Sequence, residues 1–117
     1  MAELDFETTH NGTVAVVSPT GELDLSGAAV LETELDRLAR EPEVGAVVLD
    51  LRGLEFMDSS GLRLVVIADR RTREAGRRFA LVRGGETVHR VFEITRMSDR
   101  LDFVADPDEV AEEARRR

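Results

Sequence analysis

Apolar positions along the chain recur with two different periods, and the switches between those periods mark out the elements. Leu4 to Thr8 and Thr13 to Ser18 read as strands on either side of Asn11-Gly12, and Asn-Gly between such runs is a strong hairpin signal. An opening antiparallel pair is predicted. From Ser26 to about Arg40 the spacing changes, with Ala28, Leu31, Leu35 and Leu38 recurring at helical intervals between charges and Pro42 following the end. Val44 to Leu51 is a nearly continuous apolar run, as expected of a central strand covered on both faces. Arg52 to Met57 reads as a connection. A second helix is predicted from about Ser59 to Ala75, with Gly76 as its stop, and Phe79 to Val82 reads as another buried strand. Val88, Val91, Phe92 and Thr95 trace one face of a third helix. Leu101 to Val104 make a short last strand, and Asp106-Pro107 opens a final helix through Ala114. The order β-β-α-β-α-β-α-β-α predicts an α/β domain, a mixed β-sheet opening with an antiparallel hairpin and flanked by about four α-helices, rather than a bundle or sandwich.

Composition narrows the picture. The 117 residues suit one domain over residues 1–117, and 42% apolar beside 34% charged residues is the balance of a chain that folds unaided. The 24 acidic residues against 16 basic ones give a net charge of -8, which argues against nucleic acid or an anionic membrane as the main partner. No apolar stretch approaches the ~18 residues of a membrane span. Met1-Ala2-Glu3-Leu4-Asp5 lacks the basic region and apolar core of a signal peptide, so a cytoplasmic location is expected. Cysteine is absent and the two histidines, His10 and His89, stand apart, which leaves no basis for disulfide, thiolate or transition-metal chemistry. No cofactor is expected. Every basic residue is arginine, so mechanisms needing a lysine amine are excluded too.

The candidate chemistry lies in Phe56-Met57-Asp58-Ser59-Ser60-Gly61-Leu62, where hydroxyls and a carboxylate coincide with the start of a helix. A first helical turn has unpaired N–H groups and a partial positive charge, so an acceptor side chain, or a phosphate added there, is locally stabilised. One reading makes Asp58 or Ser59 an N-cap and nothing more. Asp24, after the second strand, has the same reading as a cap shared with Ser26.

Four segments carry a resemblance. Thr20-Gly21-Glu22-Leu23-Asp24, Val47-Val48-Leu49-Asp50-Leu51, Phe56 through Leu62, and Phe92-Glu93-Ile94-Thr95 occur in the order found in the STAS-domain anti-sigma factor antagonists, which the chain resembles over most of its length. The resemblance implies that Ser59 is a phosphorylation site, and that Asp24, Asp58, Ser59, Ser60, Gly61 and Leu62 contribute to a partner-binding surface. It also implies the partners: an anti-sigma factor that is itself a serine kinase of the histidine-kinase-like ATPase type and binds the ATP, and a PP2C-type phosphatase that resets the serine. The sequence departs from the family at Thr95-Arg96-Met97, where many members have glycine and leucine, which leaves the end of the third helix open.

Leu62, Leu64, Val65, Val66 and Ile67 make the second helix apolar nearly all round, so it is either packed from two sides or leaves a few residues for a partner. Arg70, Arg71, Arg73, Arg77 and Arg78 complement the dipole of a helix C-terminus and have no aromatic platform beside them for nucleic acid; Arg115 to Arg117 read the same way. Other classes fail on inventory. A receiver domain phosphorylated at Asp50 needs a lysine, a serine hydrolase needs a nucleophile elbow and a placed histidine, and an ATPase needs a Gly-Lys-Ser/Thr loop. A non-switching STAS scaffold, or an accessory subunit of a lipid-transport complex, is the alternative that keeps the fold.

Overall fold

In the computed structural model, which describes residues 3–116, the chain forms β1 (Asp5–Asn11), β2 (Val14–Leu23), α1 (Leu25–Arg40), β3 (Ala46–Asp50), β4 (Leu54–Met57) and α2 (Ser59–Glu74). There follow β5 (Arg78–Val82), α3 (Glu86–Ile94), a 3-10 turn (Met97–Asp99), β6 (Phe103–Val104) and α4 (Pro107–Arg115). Met1 and Ala2, part of the N-terminal signal-peptide argument, and Arg117, the last of the terminal arginines, lie outside the described residues. The predicted hairpin forms, with Asn11 paired to Val14, so its turn is Gly12-Thr13. Gly12 takes a φ of +61°, which glycine adopts freely at the first central residue of a tight hairpin.

β2 does not stop at Ser18 but runs to Leu23, and its length allows three pairings. It is antiparallel to β1, parallel to β3 through Val14 to Val17, and parallel to β4 from Gly21 to Leu23. The register shifts between Gly21 and Glu22. Gly21 has φ +88°, and a Cβ there would lie 2.0 Å from the Glu3 carbonyl oxygen. Only glycine fits this bulge. The segment Arg52 to Met57, read as a connection, therefore contains strand β4. Leu54 and Met57 are buried while Glu55 and Phe56 are exposed, so four residues carry no alternation that could have announced a strand.

The bend between β3 and β4 is set by Asp50. Its carboxylate accepts from the Arg52 backbone N–H at 3.1 Å, from Arg52 Nε at 2.9 Å and from Arg52 Nη2 at 2.8 Å. Burial alone would raise this carboxyl, but the Arg52 contacts outweigh it and hold the group below the usual aspartate range. The residue that resembles a receiver's acceptor is a turn-former here.

Alternation on the central strands divides the core. Val47 and Leu49 of β3, with Phe79 and Leu81 of β5, face the layer built by α1, α2 and α3. Ala46 and Val48, with Ala80 and Val82, face α4 through Val110 and Ala111. The large residues lie under three helices and the small ones under one. The continuous apolar run of β3 is explained by this double cover. The sheet order is β1-β2-β3-β5-β6, with β4 against the far end of β2.

Helix ends follow capping rules in two cases and break them in a third. α2 closes with Arg77 N–H to Thr72 C=O at 3.1 Å and Gly76 N–H to Arg73 C=O at 2.9 Å, the paired bonds of a Schellman turn. α4 is capped by Asp106, with Pro107 in its first turn. α3 ends at Ile94, and Arg96 takes the left-handed conformation, φ 63° and ψ 18°. This is the place where the STAS resemblance leads one to expect glycine, and here an arginine carries the strain.

His89 is buried on α3, 6% exposed, with its ring centroid 5.2 Å from that of Phe103 and 6.0 Å from that of Phe92. Its Nδ1 has no hydrogen-bond partner. Burial, reinforced by the Arg83 charge and only partly opposed by Glu93, holds the imidazole below its ordinary pKa.

Two predictions follow from these ends and rings. Arg96→Gly should raise stability by about 1 kcal/mol, since a non-glycine residue in this region costs ~1–2 kcal/mol and glycine returns part of that as chain entropy; urea unfolding measures it, and a loss of stability would show that the Arg96 side chain holds α3. For His89 the sign is set by a folded pKa below the unfolded value of about 6.5. Above pH ~6.5 the ring is neutral in both states and contributes nothing to the pH slope; below it the unfolded chain binds the proton first, so stability falls with acidity. Melting curves between about pH 7 and 5.5 should show a decline that is reduced in His89→Phe, and equal slopes would remove His89 as the cause.

Candidate functional site

Two parallel strands end side by side at one edge of the sheet. Leu23 of β2 pairs in register with Met57 of β4, and the Asp58 N–H donates to the Leu23 carbonyl at 3.3 Å. Adjacent strands lie about 4.8 Å apart, so the residues that follow, Asp24 and Asp58, open α1 and α2 next to each other. Both are N-caps. Asp58 Oδ1 accepts from the N–H groups of Ser60 at 2.9 Å and Gly61 at 3.2 Å. Asp24 Oδ1 accepts from Ser26 N–H at 3.0 Å, Gly27 N–H at 3.3 Å and the Ser26 hydroxyl at 2.6 Å. The Ser26 hydroxyl, with the two amides and against a small effect of burial, holds the Asp24 carboxyl below its ordinary range.

With Asp58 as the cap, Ser59 is the first helical residue of α2 and is exposed, its hydroxyl outside the capping network. Ser60 is half-buried and gives its N–H to Asp58. Gly61 is buried: a Cβ would stand 2.4 Å from Met57 Cγ and 3.0 Å from Leu23 Cγ. Its absence of a side chain lets the first turn of α2 sit down on the paired strand ends. Leu62 is half-buried against the core. The structure thus gathers Asp24, Asp58, Ser59, Ser60, Gly61 and Leu62 at one edge, with Ser59 the outermost on its strand-to-helix corner.

The apolar anchors near this edge are not those of α2. Leu64 and Val65 are fully enclosed, and Val66 and Ile67 are half-buried. Leu25, the first residue of α1, is instead 78% exposed, and Phe56, one residue before Met57, is 42% exposed. Sequence reasoning passed over Leu25 because it stands three residues ahead of Ala28, on the same helical stripe, where burial is the expected fate. Glu22, Asp24, Glu55 and Asp58 take part in no ion pair among the described residues. The edge is therefore acidic, with two exposed apolar side chains and a serine hydroxyl.

Neither histidine belongs to this edge. His89 is enclosed in its ring cluster and His10 lies on β1 opposite Ala15. Among the described residues no group of acidic or histidine side chains is arranged to hold a metal ion, and no helix is long and apolar enough to cross a membrane.

The architecture is a mixed sheet with helices on both faces and two aspartate-capped helix starts at one strand edge. Residues 5–110 match the STAS domain, and the chain belongs to that family. It is 28% identical over 92 residues, 79% of either chain, to an anti-sigma F factor antagonist of Paenibacillus polymyxa. To the anti-sigma-F factor antagonist RsfB of Mycobacterium tuberculosis it is 35% identical over 78 residues, 67% of this chain and 62% of that one. Among solved structures, an anti-sigma factor antagonist from Mycobacterium paratuberculosis superposes with a TM-score of 0.83 at 24% identity, over 98% of this chain and 96% of the other. The Bacillus cell fate determinant SpoIIAA in its phosphorylated form superposes with a TM-score of 0.71 at 20% identity, over 92% and 98%. The fold expected from the sequence is the fold these relatives share.

The close packing at Gly61 leads to a stability prediction. Gly61→Ala should cost about 1–3 kcal/mol, the range for an extra methyl forced into a packed contact, read from chemical unfolding. A neutral result would mean that Met57 has slack and that the close approach does not position α2.

Proposed function

We propose that this chain is a non-enzymatic anti-sigma factor antagonist of the cytoplasm, whose unphosphorylated form binds an anti-sigma factor and so frees a sigma factor. The observation that carries the reading is the exposed Ser59 hydroxyl, outside its own helix cap and at the edge where the two aspartate-capped helices begin. The curated relatives are named for the same role, and one solved relative has a phosphorylated form. In this reading the anti-sigma factor is also the serine kinase and holds the ATP, a PP2C-type phosphatase restores the hydroxyl, and nucleic acid and membrane take no part.

The physics of the corner makes a switch of binding rather than of folding. A phosphoserine adds about -1.5 to -2 charges at neutral pH. At the start of α2 the helix dipole favours that charge by roughly 0.3–1 kcal/mol. The amides of Ser60 and Gly61 are already taken by Asp58, however, so the phosphate gains neither of these donors and adds its charge beside the Asp58 carboxylate. A partner surface fitted to a neutral hydroxyl must then desolvate a dianion in an acidic setting. Mismatching an interfacial charge costs about 2–5 kcal/mol, one to several orders of magnitude in affinity.

Asp24 has two roles in this reading, as the α1 cap seen in the structure and as a charge facing the partner. Asp24→Asn separates them, because an asparagine caps nearly as well but carries no charge.

Calorimetry against the cognate anti-sigma factor, with unphosphorylated protein, Ser59-phosphorylated protein and Asp24→Asn, tests the proposal. Phosphorylation should weaken binding by about tenfold or more, with melting temperature and amide spectrum outside the α2 start nearly unchanged. Asp24→Asn should weaken it while keeping the fold. If the phosphorylated form binds as well as the unmodified one, the chain is a fixed scaffold and the switch is absent.

A further inference from the structure

At the other end of α2, well away from Ser59, a cleft of about 450 Å³ opens where α2 ends, β5 begins and the 3-10 turn hands over to β6. Its polar lining is Asp69, Arg73, Arg77, Arg78, Arg100 and Asp102. Four arginines against two aspartates make a cationic hollow in a chain whose net charge is -8. The volume falls in the ~300–1,000 Å³ range of ligand sites.

The arginines differ in how far they are engaged. Arg78 binds Asp102, with its Nε 2.8 Å from the carboxylate, and also reaches Glu113. Arg77 donates to the Ala39 carbonyl across to α1. These two are structural, as the dipole argument for this stretch implied. Arg73 lies 3.8 Å from Asp69, beyond hydrogen-bond distance, and Arg100 has no ion-pair partner among the described residues. Two guanidinium groups from different elements thus border one hollow with most of their donors unmet.

Of the carbonyls that would repel an anion at this helix C-terminus, those of Thr72 and Arg73 accept the two bonds of the Schellman turn. Asp102 is paired with Arg78, which it shares with Glu113. Asp69 is the remaining acid, its side chain 15% exposed; burial pushes its carboxyl up, Arg73 pulls it back and Asp102 adds to the rise.

We propose that this cleft is a binding site for a small phosphate-bearing anion, held between the guanidinium groups of Arg73 and Arg100. Phosphate is favoured over carboxylate by geometry. A planar guanidinium fork takes two oxygens at once, and a phosphate has three peripheral oxygens to share between two forks, whereas one carboxylate is filled by a single fork. The site is distinct from the Ser59 corner, which lies roughly 20 Å away at the helical rise.

Inorganic pyrophosphate is the probe, titrated into the full chain at low salt and followed by NMR on the arginine Nε–H signals and the backbone amides. Binding at about 1 mM or tighter should move the Arg73 and Arg100 signals. Arg73→Gln and Arg100→Gln should each weaken it at least about tenfold with unchanged melting temperature, while Arg63→Gln, some 15 Å up the same helix, should not. Asp69→Asn should tighten it by about threefold or more, by removing a negative charge that competes with the anion for Arg73. Three results would overturn the site: no binding at about 10 mM, equal loss in all three arginine variants, or shifts confined to the Ser60 and Gly61 amides. The last would place the anion at the helix starts instead.

Discussion

The in-register pairing of Leu23 with Met57 is the contact on which the rest of the molecule depends. It requires β2 to change partner partway, from β3 to β4, and the change is made at Gly21, where the backbone bulges and the Glu3 carbonyl leaves no room for a Cβ. Because β4 then runs parallel beside the end of β2, two helices begin at the same edge. Each start presents unpaired amides, and each is met by an aspartate. The candidate surface is thus a by-product of strand register: shift β4 by one residue and Asp58 no longer stands beside Asp24, nor Ser59 at the outer corner.

This explains which parts of the molecule were legible in the sequence. β3, β5, α1 and α4 are long or sharply capped, and their periodicity, Pro42, Asp106 and Pro107 announce them. The candidate serine was legible through Asp-Ser-Ser-Gly after an apolar strand. β4 was not, because it has only four residues and its two exposed positions are adjacent. Nor was the length of β2, since Pro19 and Gly21 look like breakers until a bulge accommodates them. Leu25 and Phe56 could not be singled out, because their exposure depends on where the sheet edge falls. The end of α3 was open for a different reason. Arg96 has no local propensity for the left-handed region, so only the tertiary structure can hold it there.

Charge is sorted along α2 as well as counted along the chain. At its start lie Glu22, Asp24, Glu55 and Asp58 without ion-pair partners among the described residues; at its end lie Arg70, Arg71, Arg73, Arg77 and Arg78. Arg71 leans toward Glu32 and Asp36 of α1, and Arg77 and Arg78 tie α2's exit to α1 and α4. The net charge of -8 therefore understates how acidic the Ser59 edge is and hides the cationic hollow at the opposite end. Both poles follow the helix dipole rule, the arginines at the C-terminus and the aspartates at the N-terminus, where they also cap.

The capping arrangement also frees the Ser59 hydroxyl from any part in holding the helix start. If the serine were itself the cap, its hydroxyl would be holding an amide, and modifying it would trade one stabilising contact for another. With Asp58 in that role, the hydroxyl of Ser59 has no structural duty, and Gly61 beneath it sets the seat of the helix. A group attached at Ser59 can then alter what the edge presents without loosening what the edge is built from. The same division applies to Asp24, whose carboxylate is tied to Ser26 and Gly27 by one oxygen, Oδ1, while its second oxygen stands outside the cap. In the proposed reading, a surface whose polar groups are fixed from behind and free in front would lose little entropy on meeting a partner, and a change of charge at the front would be felt mainly in binding.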